Sequence, residues 1–131
     1  MFDPKSKILV VDDMAMMRRA VTKFCKDMGY SDFTEAADGA EAWQKASTAN
    51  PPFDLIISDW NMPNCSGLDL LKRVRADGRI GKTPVILVTA EKEKDQIIEA
   101  IKAGVNEYVV KPFTPQTIKE KLDAVHAKLA A

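Results

Sequence analysis

Four short apolar runs lead into residues that can do chemistry. "KILVV" is followed by Asp12 and Asp13, "FDLIIS" by Asp59, "PVILVT" ends in Thr89, and "YVV" leads into Lys111. If these runs are parallel strands, three carboxylates, one hydroxyl and one ammonium meet at a single edge. Carboxylates a few ångströms apart repel, and one takes up a proton unless a cation intervenes. Lys111 offsets one charge. A small hard cation with oxygen ligands suits the rest, and Mg²⁺ binds through one or two carboxylates plus waters and phosphate oxygens. With two cysteines and one histidine in the chain, no ligand set for a soft metal exists. A cation, a lysine and a hydroxyl are also what a transferring phosphoryl group needs. A carboxylate can itself be the nucleophile.

Each residue also has a plainer reading. Asp13 could cap the first helix, Asp59 could belong to the turn before Asn61 and Pro63, and Thr89 could cap the fourth helix. Lys111 could be a surface lysine before a proline. Independent caps and turns do not require acids clustered opposite a lysine, so the joint reading is preferred. The chain has no G-x-x-x-x-G-K-[ST] loop and no G-x-G-x-x-G, which leaves nucleotide binding without support. A Ser-His-Asp or Cys-His arrangement is also missing.

The elements that must position these residues follow from periodicity. Strands are predicted at Lys7–Val11, Phe33–Ala37, Phe53–Ser58, Pro84–Thr89 and Tyr108–Val110. Three of them are aliphatic with little alternation, as in a parallel sheet covered on both faces. The first helix carries Met17, Ala20, Val21, Phe24 and Met28 on one face and stops at Gly29. The second opens at Asp38, with Glu41 completing a capping box. The third opens at Ser66 and carries Leu70, Leu71 and Val74. The fourth carries Ile97, Ile98 and Ile101 and ends before Gly104. The fifth opens at Thr114 and Pro115, with Ile118, Leu122, Val125 and Leu129 as its stripe. Five βα units give an α/β fold, one doubly wound parallel sheet with helices on both faces, in a single domain over residues 1–131. Such sheets bind ligands beyond the carboxyl ends of their strands.

Composition narrows the function. The 131 residues are 46% apolar and 29% charged, as expected of a globular chain with a real core. Lys+Arg and Asp+Glu are 19 each, and this balance argues against a general nucleic-acid binder. No stretch approaches the ~20 apolar residues that span a bilayer. The N-terminal segment has no secretory signal pattern, so a cytoplasmic location is expected, without membrane or nucleic-acid partners. Cys25 and Cys65 are expected to be unpaired thiols, and His126 a packing or surface residue.

"VVDD" at Val10–Asp13, "SDWNMP" at Ser58–Pro63, "VTAE" at Val88–Glu91 and "YVVKPF" at Tyr108–Phe113 resemble the receiver domains of two-component response regulators. "DWNMP" and Tyr108 make the likeness strongest for the stand-alone chemotaxis regulators. The resemblance covers essentially the whole chain. It implies the flavodoxin-like strand order 2-1-3-4-5. It implies that Asp59 accepts a phosphoryl group from a kinase histidine, with Lys111 pairing the phosphoryl group. Mg²⁺ would be held by Asp13, Asp59 and the backbone carbonyl of Asn61, Asp12 helping through water. Thr89 and Tyr108 would be the switch pair, Asn61 and Glu91 would set the phosphoryl lifetime, and Lys111–Pro112 would be cis. Ser66 stands where many relatives have Asp; serine caps a helix as well, so the fold should survive.

The same resemblance implies an output surface on the fourth helix, fifth strand and fifth helix, with Lys92, Lys94, Ile97, Tyr108, Val110 and Lys121. Ile97 and Ile98 are adjacent and cannot both face the sheet, so one is expected to be exposed. The partners implied are a chemotaxis histidine kinase, the flagellar motor switch protein and a dedicated phosphatase, with the chain acting as a monomer. Catalysis would be limited to self-catalysed phosphotransfer and autodephosphorylation. The alternatives are a stand-alone receiver serving as phosphate sink or phosphorelay intermediate, a Mg²⁺-dependent phosphatase, and a flavin binder. The phosphatase reading is weakened because Asp12 and Asp13 are adjacent rather than an Asp-x-Asp pair. The flavin reading is weakened because "DDMAMM" offers no phosphate cradle.

Overall fold

The computed structural model describes residues 2–62, 65–89, 94–111 and 113–130, without the side chains of Lys94, Asp95 and Ala130. Five strands alternate with five helices: β1 Lys7–Val11, α1 Ala15–Asp27, β2 Asp32–Ala36, α2 Gly39–Thr48, β3 Leu55–Asp59, α3 Gly67–Ala76, β4 Val85–Thr89, α4 Lys94–Lys102, β5 Glu107–Val110 and α5 Pro115–Ala130. All strand pairs are parallel, in the order β2-β1-β3-β4-β5. The order expected from the resemblance is therefore observed. Strand boundaries shift by one or two residues: β2 starts at Asp32 and ends at Ala36, β3 spans Leu55–Asp59, and β5 begins at Glu107.

The pleat divides the core. Leu9, Val11, Ile56, Val85 and Leu87 meet Ala42 and Ala46 of α2, Leu70, Leu71 and Val74 of α3, and Ala100 of α4. Ile8, Val10, Leu55, Ile57, Ile86, Val88 and Val109 meet Val21 and Cys25 of α1 and Ile118, Leu122 and Val125 of α5. Both faces of the central strands are buried, which explains why these runs lack alternation. Each fully buried Leu or Ile adds ~1.5–3 kcal/mol relative to exposure, so this double-sided core carries the fold.

The helix ends match the sequence in part. α1 closes in a Schellman motif, with Tyr30 N–H donating to Cys25 O at 3.1 Å, Gly29 N–H donating to Lys26 O at 2.9 Å, and Gly29 at φ 109°. Asp38 caps α2 by accepting from Glu41 N–H at 2.8 Å, and Glu41 accepts in return from Ala37 N–H at 2.6 Å. Ser66 caps α3, accepting from Asp69 N–H at 3.1 Å. Thr114 accepts from Thr117 N–H at 3.2 Å at the start of α5.

One plainer alternative is excluded and two expectations are corrected. Asp13 does not cap α1: Met14 is the N-cap with no side-chain cap, and Asp12 takes the Met14 N–H at 2.9 Å. Ile101 is not part of a buried stripe; it is 59% exposed and Ile98 is 48% exposed. Residues three apart share a helix face, and α4 turns the Ile97/Ala100 pair inward, leaving Ile98/Ile101 outside. Leu129 is likewise exposed, because the last turn of α5 runs beyond the core. His126 lies edge-on to Phe2, with ring centroids 5.3 Å apart.

Candidate functional site

The order β2-β1-β3-β4-β5 puts its reversal between β1 and β3, where a crevice opens beyond the strands' carboxyl ends. Asp12 follows β1 directly and Asp59 is the last residue of β3. Both are buried, whereas Asp13 is exposed. Asp12, Asp13 and Asp59 each offer a carboxylate oxygen within 4.8 Å of the others. At that spacing each pair of like charges repels by about 3 kcal/mol at an effective dielectric of about 20.

Lys111 is the counterion. Its Nζ donates to Asp59 Oδ1 at 3.1 Å and lies 3.8 Å from Asp12 Oδ2. Its backbone N–H donates to Thr89 O at 2.7 Å, so the lysine and the buried hydroxyl residue are tied together at their main chains. Arg18 does not relieve the cluster. Its guanidinium is engaged by Asp12 O at 2.6 Å and by Glu35 at 3.0 Å. Burial pushes the Asp12 carboxyl above its ordinary range. The Met14 N–H pulls it back, the Asp59 charge adds to the rise, and Lys111 opposes it. Two negative charges remain uncompensated, which is what one divalent cation supplies. The donors are all carboxylate oxygens, the chemistry that Mg²⁺ prefers, so the residues present fit that ion.

Asp59 is also held from behind. Its Oδ1 accepts from Trp60 N–H at 3.0 Å, and Trp60 N–H also reaches Val88 O at 2.8 Å. Gly67 N–H donates to Trp60 O at 2.9 Å, closing the loop that starts at Asp59. A Cβ on Gly67 would collide with Asp59 O and stand 3.1 Å from Leu87 Cδ2, so only glycine fits there. These supports were not named from sequence. A glycine in the first turn of a helix, where its propensity is poor, is the signal that could have found Gly67.

The sequence candidates distribute as follows. Asp12, Asp13, Asp59 and Lys111 are brought together. Thr89 joins them through its backbone and is fully buried. Asn61 is exposed on the loop after β3. Glu91, Lys92, Pro63 and Pro112, and with Pro112 the expected cis bond, lie outside the described residues, as does the Lys94 side chain. Tyr108 is half-buried on β5, opposite Leu87, and Val110 is opposite Thr89, so Tyr108 shares the face of the sheet to which Leu87 and Thr89 belong. Lys121 stands over the Tyr108 ring, 5.4 Å from its centroid. Cys25 and Cys65 are free and buried. Among the described residues no helix is long and apolar enough to cross a membrane.

Comparisons with known proteins agree with this geometry. Residues 8–123 match the response regulator receiver domain. Chemotaxis protein CheY1 of Helicobacter pylori is 52% identical over 119 residues, covering 91% of this chain and 95% of that protein. Chemotaxis protein CheY of Pseudomonas aeruginosa is 49% identical over 123 residues, covering 94% and 98%. The solved structure of chemotaxis response regulator CheY4 of Vibrio cholerae superposes with a TM-score of 0.84 at 38% identity, covering 92% of this chain and 98% of that one. With its acid cluster, its lysine and its strand order all in place, the chain belongs to the response regulator receiver domain family, within the CheY-like chemotaxis regulators.

Proposed function

We propose that this protein is a phosphorylation-activated signalling switch in which Asp59 is the phosphoryl acceptor. The observation that carries the proposal is the convergence of Asp12, Asp13 and Asp59 with Lys111 at the carboxyl edge of the sheet. A carboxylate oxygen of Asp59 attacks phosphorus, the phosphorus–nitrogen bond to a histidine of a chemotaxis kinase breaks, and the imidazole leaves with the bonding electrons. Water later attacks the acyl phosphate and regenerates the carboxylate. The reading includes no other substrate turnover.

Asp12, Asp13 and Asp59, with the Asn61 carbonyl, would hold Mg²⁺, which when bound neutralises charge on the phosphoryl oxygens. Lys111 supplies the second positive charge and already contacts Asp59. Thr89, at the end of the adjacent strand, offers a hydroxyl to a phosphoryl oxygen, and Tyr108 follows it. Asn61 and Glu91 set how long the phosphoryl group survives. A phosphoryl group that favours the active arrangement by ~2.7 kcal/mol changes its ratio about a hundredfold.

The output surface is the face built by α4, β5 and α5. α4 contributes the exposed pair Ile98 and Ile101, β5 contributes Tyr108 and Val110, and α5 contributes Lys121. The partner is the flagellar motor switch protein, with a dedicated phosphatase ending the signal; the protein works as a cytoplasmic monomer. Asp59→Asn tests the acceptor: with acetyl phosphate and Mg²⁺ the parent should gain the mass of one phosphoryl group and the variant none. A variant that labels as fast as the parent rules out Asp59 as the nucleophile. Phospho-dependent capture by motor-switch peptides, absent for a phosphate sink, tests the output.

A further inference from the structure

Tyr108 does not stand alone on the output surface. The Lys121 ammonium lies over its ring, 5.4 Å from the centroid, within the range of a cation–π contact. The same ammonium is held by Glu107 Oε1 at 3.1 Å, and Glu107 Oε2 reaches Lys128 at 3.7 Å. The Glu107 side chain is only 17% exposed, so this is a sheltered carboxylate between two lysines and not a loose surface pair. Glu107 and Tyr108 are neighbours on β5, whereas Lys121 and Lys128 come from α5. The contacts of Glu107 with Lys121 and Lys128 therefore tie the helix to the strand next to Tyr108.

We infer that Glu107 and Lys121 form a clamp that holds the Tyr108 ring in its half-exposed position in the resting protein. Both are positioning residues. The inference deepens the reading of Tyr108 as a switch residue and rests on it. For the ring to turn inward along the face it shares with Thr89, it must leave the Lys121 ammonium, so the clamp weights the equilibrium toward the resting state. A cation–π contact at a partly exposed ring tilts such a ratio by about two- to fivefold. Glu107 sets the strength of the contact by keeping Lys121 in place. Neutralising Lys121, whether by substitution or by acylation of its amine, should release the ring without touching the phosphorylation site.

The test uses the full chain labelled with fluorotyrosine, with Tyr30→Phe identifying the Tyr108 signal by fluorine NMR. Lys121→Met keeps the apolar stem and removes the charge; Glu107→Gln keeps the shape and removes the anchor; Lys121→Arg restores a cation. The expected result is a Tyr108 signal that moves in the first two variants and returns toward the parent in the third. The two charge-removing variants should also reach the active signal at about two- to fivefold lower beryllofluoride, a phosphoryl mimic, in the presence of Mg²⁺. A Tyr108 signal unchanged in Lys121→Met overturns the clamp. Failure of the underlying reading looks different: the parent Tyr108 signal would not respond to beryllofluoride at all, and the regulatory half of the inference would then be overturned too.

Discussion

The two ends of the sheet solve opposite electrostatic problems. At the carboxyl edge three acids face one lysine, and charge of a single sign is left over. At the amino edge Arg75, at the end of α3, is half-buried and meets neutral acceptors. Its guanidinium donates to Gly104 O at 3.0 Å, Gly81 O at 3.1 Å, Thr83 O at 2.6 Å and Asn106 Oδ1 at 2.8 Å. Asn106 Oδ1 in turn accepts from Val85 N–H at 2.8 Å. One cation thus gathers the end of α3, the loop into β4 and the loop into β5. Burial lowers the Arg75 pKa, but every contact favours the charged form staying where it is. The amino edge spends its polar groups on cohesion, and the carboxyl edge holds its own in an arrangement that only a ligand completes.

Substitutions at the two edges should therefore act in different ways. The largest stability effect is expected for Arg75→Ala, which strands several half-buried acceptors and should cost about 3 kcal/mol in urea unfolding. Its labelling by acetyl phosphate under native conditions should be nearly unchanged, and a strong loss of labelling in a folded variant would break the division between edges. Next comes Gly67→Ala, which forces a Cβ against Asp59 O and should cost about 2 kcal/mol. Unlike Arg75→Ala it should also slow labelling, by about tenfold, because the main chain of Asp59, the proposed acceptor, must shift.

Asp12→Asn should go the other way and stabilise the protein at pH 7 by about 1 kcal/mol, since it removes a buried like charge. Folding raises the Asp12 pKa, so the folded state binds that proton more tightly than the unfolded chain does. The charge penalty is fully present above the folded pKa and fades as pH falls through it. The advantage of Asp12→Asn over the parent should therefore shrink in paired urea titrations as the pH is lowered from 7 through the raised folded pKa toward the ordinary carboxylate range. The smallest effect is a silence: burial pushes the Cys25 thiol up to about 12, so neither it nor buried Cys65 should react with a thiol reagent at pH 8 until the protein is unfolded.

How far the sequence reached can be judged residue by residue. The central strands were legible because burial on both faces writes itself as unbroken aliphatic runs, as in "LIIS" and "VILVT". The acids and Lys111 were legible because each sits where such a run stops. Ile101 was misplaced because α4 offers two apolar pairs at the same spacing, Ile97/Ala100 and Ile98/Ile101, and periodicity cannot say which pair the sheet accepts. The plainer alternative of Asp13 as the α1 cap falls away because Asp12, the acid that the strand end turns inward, takes the Met14 N–H. Arg75 went unread altogether, because three of its four acceptors are backbone oxygens that leave no trace in residue types.

The contact between Gly67 and Asp59 gives the site a handedness. With α3 seated against the Asp59 main chain, that flank has no room to close further. If Asp59 takes the group proposed above, that flank has no room to give, and the adjustment is expected on the side of β4 and β5. On that reading, a missing methyl group decides which side of the site stays still.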